Sequence, residues 1–112
     1  IVTEMKNYVS GEFAVKNSLD LTIKYNKSIE LIARRIRFWE LENVYFFINE
    51  IENELKKERE FLIGFLSKII INAKNFVETE DLKNLINLKN SIRNNVNIKS
   101  VLFNFFDILQ NS

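Results

Sequence analysis

The chain has 112 residues, 46% of them hydrophobic, and its 16 basic and 15 acidic side chains leave a net charge of +1. This length and apolar content suit one globular domain with a substantial core and exclude a disordered chain. The balanced charge argues against the excess of basic residues that is typical of a nucleic-acid-binding protein. Cysteine and histidine are both missing, which excludes disulfides, thiol nucleophiles, cysteine or histidine metal ligands and histidine general bases.

Helical spacing of apolar residues extends through almost the whole chain, which has no proline and two glycines. A β-rich domain would need more of these turn residues. The pattern predicts a short helix near 1–9, ended by Ser10-Gly11, and six further helices at about 13–26, 28–39, 42–55, 58–77, 80–93 and 98–110. No apolar run reaches the roughly 18 residues that a membrane-spanning helix needs.

The helices predicted at 28–39 and 42–55 each carry one apolar stripe. The first stripe consists of Ile29, Ile32, Ala33, Ile36 and Trp39. The second has i, i+3, i+4, i+7 and i+11 spacing and consists of Val44, Phe47, Ile48, Ile51 and Leu55. Both patterns are typical of amphipathic helices that bury one face.

Three arginines form a weak basic patch on the helix at 28–39, with Arg34 and Arg37 on one face and Arg35 to the side. They would suit contacts with phosphate groups, or a solvated face on which Glu30 and Glu40 are their partners. The near-neutral net charge favours the solvated face. We therefore expect no direct contact between this chain and nucleic acid.

The aromatic residues near the start of the next helix permit two interpretations. Trp39 and Tyr45–Phe46–Phe47 resemble a platform on which nucleic-acid bases stack. Aromatic residues at helical spacing belong more often to a core, and this is the interpretation that we favour.

The sequence contains no catalytic or cofactor-binding motif. A GxxxxGK[ST] loop, which would hold the phosphates of ATP, is missing. Glu50, Glu52 and Glu54 have i, i+2, i+4 spacing and are spread over different faces of a helix, which argues against a three-ligand metal site. We expect a chain that is not an enzyme and that has no cofactor, metal ion or small-molecule ligand.

The helix at 58–77 is apolar on most of its faces. Its polar residues lie on one narrow stripe, formed by Gly64, Ser67, Lys68, Asn72 and Asn75. Such a helix is typical of the centre of a bundle, and Gly64 is expected to allow close packing of a neighbour. The chain is thus predicted to be all-α, a compact bundle of about five to seven helices around one central apolar helix.

Asn94, Asn95, Val96 and Asn97 predict a tight corner between the last two helices. Asparagine tolerates the left-handed conformation that ends many helices, so Asn94-Asn95 suits the end of the helix at 80–93. Asn97 suits the N-cap of the helix at 98–110. Val96 and Val101 occupy the two positions of a hydrophobic staple around this cap.

The last helix has eight apolar residues in twelve, more than a helix with one buried face needs. Either part of its surface meets a partner or the helix is wedged deep in the core. The candidate interface residues are Ile98, Val101, Leu102, Phe105, Phe106 and Leu109.

Three segments resemble the collar domain of the delta-prime subunit of the bacterial DNA polymerase III clamp loader. "SIRNNVNIKSVLFNFFDIL" (91–109) looks like its C-terminal corner and apolar closing helix. "ENVYFFINEIENELKKEREFLIGFLSKIIINAKNF" (42–76) is similar to its middle, with a helix, a charged break and a long apolar helix. "YVSGEFAVKNSLDL" (8–21) loosely resembles the segment that follows the ATPase lid, with Ser18-Leu19 in place of Ala-Leu.

This resemblance implies an oligomerisation role in DNA replication. In the family, five subunits join through their C-terminal domains into a cytoplasmic ring that loads the sliding clamp on primed DNA. The expected partners are the gamma/tau and delta subunits, with no membrane contact. The arginine of ATP-sensing relatives has no counterpart in the segment from Gly11 to Leu19, where the only basic residue is Lys16, which favours delta-prime over gamma/tau. The delta subunit, whose collar has the same architecture, stays an alternative.

The chain starts at Ile1 without an initiator methionine or a signal-like segment. We expect residues 1–112 to form a single helical domain from the C-terminal part of a longer protein, with residues 1–26 containing the junction to a preceding domain. The alternative is the helical ligand-binding and dimerisation domain of a transcriptional repressor, which would hold an apolar small molecule in a buried pocket.

Overall fold

The computed structural model describes residue 23, residues 25–94 and residues 96–111. Within this part of the chain all regular structure is helical and no residue lies in a strand. Helix α1 covers residues 25–35 and leads into a 3-10 turn, Ile36–Phe38. Four helices follow: α2 (Leu41–Leu55), α3 (Arg59–Ala73), α4 (Thr79–Ser91) and α5 (Ile98–Gln110). The fold is an all-α bundle, as predicted.

Two predicted boundaries were wrong. Residues 25–35 are one continuous helix, so no break occurs at Lys27; the Ser28 hydroxyl bonds to the Tyr25 carbonyl at 2.9 Å, which lets this polar residue stay within the helix. Helix α3 ends at Ala73, four residues early, because the Phe76 N–H bonds to the Ala73 carbonyl and closes a tighter turn. The helix predicted near 1–9 and most of that at 13–26 lie outside the described residues.

The core is one cluster of buried side chains to which every helix and the 3-10 turn contribute. Helix α5 packs against α2, α4 and the 3-10 turn, and α3 packs against α2 and α4. The Tyr25 ring of α1 meets the Phe65 ring of α3 edge to face, at 4.8 Å between centroids. The predicted apolar helix α3 contributes seven buried residues to this core: Leu62, Ile63, Phe65, Leu66, Ile69, Ile70 and Ala73.

Gly64 lies on the exposed side of α3, and the prediction that it permits close packing was wrong. Among the described residues, a Cβ atom built on this residue meets no atom within 4 Å. The glycine therefore weakens the helix without serving a contact within the described fold.

We expect Gly64→Ala to raise the free energy of unfolding by about 1 kcal/mol, because alanine favours the helix and reduces the freedom of the unfolded chain. Urea denaturation followed by circular dichroism measures the change, and Gly64→Ser should give a smaller gain. A loss of stability in both variants would show that the space beside Gly64 is occupied.

The corner between α4 and α5 confirms the predicted cap of the last helix. The Asn97 side-chain oxygen accepts a hydrogen bond from the Ser100 N–H at 3.0 Å. Val96 is half-buried against the core and Val101 is buried, as a hydrophobic staple requires. The left-handed conformation predicted for Asn94 was wrong, since its φ is negative. Asn95 lies outside the described residues.

Helix α4 ends instead with short-range backbone hydrogen bonds and with hydrogen bonds from an arginine of α3. The Ile92, Arg93 and Asn94 N–H groups each bond to the carbonyl three residues earlier, at 3.0 to 3.3 Å. Arg59 Nη1 donates to the carbonyl oxygens of Ile92 at 2.7 Å and Asn94 at 3.3 Å. The arginine thus supplies a donor to the Ile92 carbonyl at the helix end, and a second donor to the Asn94 carbonyl, which also accepts from the Val96 N–H at 2.7 Å.

Arg59→Met is expected to lower the free energy of unfolding by about 1–2 kcal/mol, because it removes charged donors from two carbonyl oxygens while keeping an apolar stem. The matched control is Arg93→Met, which removes an exposed ion pair with Glu60 (3.2 Å) and should cost less. Thermal melts of both variants decide the point, and equal losses would mean that the Arg59 bonds do not hold the corner.

Candidate functional site

The six candidate interface residues of α5 are all in the core, which corrects the expectation that they face a partner. Their exposed fractions are between 0% and 7%. Phe103 and Ile108, the other apolar residues of α5, are half-buried against the same core. The helix is therefore wedged between its neighbours, and these residues offer no surface to another subunit: Ile98, Val101, Leu102, Phe105, Phe106 and Leu109.

Among the described residues, nine large apolar side chains are exposed, and four of them lie close together in sequence at the 3-10 turn and on α2. We define the apolar patch as these four exposed residues: Phe38 (78% exposed), Leu41 (56%), Tyr45 (43%) and Phe46 (73%). A cluster of this kind marks a binding surface more often than scattered apolar residues do.

The geometry of α2 explains why its aromatic residues separate. Its buried face is formed by Val44, Ile48, Ile51 and Leu55, and successive residues of a helix turn by about 100°. Phe46 therefore points away from the bundle, and the expectation that Tyr45 and Phe46 belong to the core was wrong, since both are exposed. Phe47 stays half-buried because its ring packs on those of Trp39 and Phe106, at 5.6 and 5.7 Å between centroids.

Two open grooves border the patch. One is lined by Trp39, Asn43, Phe46, Phe47 and Glu50. The other lies between α2 and α5 and is lined by Leu41, Val44, Tyr45, Phe103, Asn104, Asp107 and Gln110. The Tyr45 and Phe103 rings meet edge to face at 5.0 Å in this second groove, so the groove has an aromatic ring on each of its two helices.

The end of α5 fixes the turn that carries Phe38. The Gln110 side-chain amide donates to the carbonyl oxygens of Ile36 and Trp39, each at 3.1 Å. The turn is thereby tied to the last helix on both sides of Phe38, and an ordered turn lowers the entropy cost of binding through an exposed aromatic ring.

The three arginines of the predicted basic patch lie in different surroundings. Arg34 forms an exposed ion pair with Glu30 at 3.3 Å, as a solvated face would require. Arg37 lies over the Phe76 ring, 5.5 Å from its centroid. Arg35 lines a shallow groove with Arg34 and with three further residues, Lys27, Glu30 and Leu31.

The sequence interpretation missed a buried acidic residue on α2. Glu54 is 3% exposed and accepts a hydrogen bond from the Tyr25 hydroxyl at 2.9 Å. Burial, followed by this hydrogen bond and the nearby carboxylate charge, raises the pKa of Tyr25 well above its usual range. The signal was present in the sequence, since Glu54 lies beside the apolar stripe, three residues after Ile51.

Glu54 thus joins α2 to α1 through its hydrogen bond with Tyr25. Among the described residues, acidic side chains form no group of three or more that could hold a metal ion. In the same part of the chain, no helix combines the length and apolarity needed to cross a membrane.

Comparisons with known proteins add no assignment. No family model, curated protein or solved structure matches the chain. The interpretation of the apolar patch therefore depends on its own geometry and chemistry.

Proposed function

We propose that this chain is a protein-interaction domain whose apolar patch meets a partner subunit. The observation that carries the proposal is the contrast between the two helices richest in aromatic residues. Helix α5 buries its apolar residues, whereas the turn and α2 hold Phe38 and Phe46 in solvent at 78% and 73% exposure. Exposed aromatic side chains on an ordered scaffold are the usual anchors of protein interfaces.

We further propose that the partner assembly is a clamp loader and that the chain is the collar domain of its delta-prime subunit. This finer assignment depends on the resemblance of residues 42–76 and 91–109 to that family. The Asn97 cap and the wedged α5 support it, because they are the corner and closing helix that the resemblance implies.

The test is binding of the purified chain to the gamma/tau and delta collar domains encoded by the same genome. A collar is built from different neighbours, so we expect a monomer at micromolar concentration that binds at least one of these domains. Light scattering gives the oligomeric state and calorimetry the affinity.

Two variants locate the surface. Phe46→Ser should weaken binding at least tenfold, since it removes a central aromatic anchor. Ile71→Ser is the matched control, because Ile71 is 62% exposed on α3, outside the patch, and should leave the affinity unchanged. A stable homodimer that ignores these partners would contradict the collar assignment and favour the repressor-type alternative.

A further inference from the structure

The segment that carries most of the apolar patch is strongly acidic. Residues 39–55 contain five glutamates and neither lysine nor arginine, although the whole chain has one more basic than acidic residue. One of these, Glu54, is buried. The others are Glu40, Glu42, Glu50 and Glu52, of which the first three are exposed and Glu52 is half-buried.

The acidic side chains lie beside the exposed rings. Glu42 and Glu50 are four residues before and after Phe46, so they are its neighbours along the outer face of α2. On the other side of the patch, Asp107 of α5 lines the groove that contains Leu41 and Tyr45. Carboxylates therefore border the part of the patch on α2 and across the groove, whereas Arg37, which precedes Phe38, lies over the Phe76 ring.

The patch is smaller than a standard interface, so a partner would also contact the acidic residues around it. Aromatic side chains bury about 150–250 Å² each, so the four exposed residues offer roughly 400–500 Å² of apolar surface. A standard interface buries about 800 Å² on each partner, with an apolar centre and a polar rim. A partner that covers the patch therefore also covers the acidic border, and its charge must match.

We propose that the apolar patch binds a basic amphipathic helix of a partner protein, with aliphatic or aromatic anchors on one face and lysine or arginine beside them. This inference rests on the proposed interaction function and names the chemistry of the partner. The groove beside Phe46 and the groove beside Leu41 and Tyr45 suit the apolar anchors, and the carboxylates suit the basic flanks. Nucleic acid is disfavoured at the same surface, because its phosphates would meet the carboxylates.

The test uses three synthetic helical peptides with the same leucine and tryptophan face, flanked by lysine, glutamine or glutamate. Fluorescence anisotropy at low salt should show the lysine peptide binding the full chain at least tenfold more tightly than the glutamine peptide, and no binding of the glutamate peptide. The preference should decrease as the salt concentration rises.

Variants separate the two parts of the surface. Phe46→Ser should abolish binding of the lysine peptide, whereas Ile71→Ser should not change it. Glu42→Gln should weaken the lysine peptide several-fold and leave the glutamine peptide unchanged. The matched charge control is Glu80→Gln, at an exposed position in the first turn of α4, which should have no effect.

The outcomes distinguish this inference from the function on which it depends. Equal affinity for the lysine and glutamine peptides, both lost in Phe46→Ser, would overturn the charge preference and leave the interaction surface in place. If no peptide binding depends on Phe46, or if a single-stranded oligonucleotide binds there instead, the inference is wrong. If the clamp-loader domains do not bind, the collar assignment is wrong, but the preference of the patch for a basic helix is unaffected.

Discussion

Replacement of Phe105 by alanine is expected to lower the free energy of unfolding by about 3–5 kcal/mol, the usual cost of deleting a buried phenylalanine ring. Phe105 is fully buried, and its ring meets that of Phe106 edge to face at 5.4 Å. A loss of this size approaches the whole stability of a small domain. Urea denaturation followed by circular dichroism measures it.

Phe105→Leu is the second variant, since it keeps most of the volume and should cost only about 1 kcal/mol, which preserves a folded protein for comparison. The matched control is Phe46→Ala, an exposed phenylalanine that should change stability by no more than about 0.5 kcal/mol. If Phe105→Ala were as stable as the native chain, the last helix would not be wedged in the core.

The opposite roles of these two phenylalanines show what periodicity can predict. The bounds of α2 and α5 and the Asn97 cap follow from local signals, namely helical spacing and a side chain that bonds to the backbone three residues later. Local signals also placed Phe105 among eight apolar residues, but they do not say whether a partner or the same chain covers them. Whether the same chain covers the apolar residues of α5 depends on where α2 and α4 pack.

The exposure of Phe46 was available from the sequence and was missed. Tyr45, Phe46 and Phe47 were interpreted as one group because they are consecutive, yet consecutive residues of a helix point in different directions. The stripe that contains Ile48 and Ile51 already assigned Phe46 to the outer face. Grouping side chains by helical angle would have assigned Phe46 to the exposed face of α2.

Other features depended on tertiary contacts that no local pattern contains. Arg59 and the end of α4 are 33 residues apart in sequence, and their hydrogen bond exists only because α3 packs beside the corner. Gly64 has no close neighbour only because no described element covers that side of α3.

Tyr25→Phe is expected to lower the free energy of unfolding by about 2–3 kcal/mol near neutral pH. The substitution keeps the ring that packs on Phe65 but removes the hydroxyl that donates to Glu54 at 2.9 Å. A buried carboxyl group that loses a hydrogen bond has no water to replace it. Urea denaturation at pH 7 gives the difference, and Tyr45→Phe, at an exposed position of α2, is the control that should change stability little.

The same contact predicts how stability depends on pH in alkaline solution. The pKa of Tyr25 is raised in the folded chain by burial first and by the bond to Glu54 second. A group whose pKa is higher in the folded state contributes stability that is fully present below its unfolded pKa, about 10 for tyrosine. Above that pH the unfolded chain releases the phenol proton while the folded chain retains it, so stability decreases. We expect this decrease to be shallower in Tyr25→Phe than in the native chain, and an identical alkaline profile in the two proteins would show that the Tyr25 hydroxyl is not held in the core.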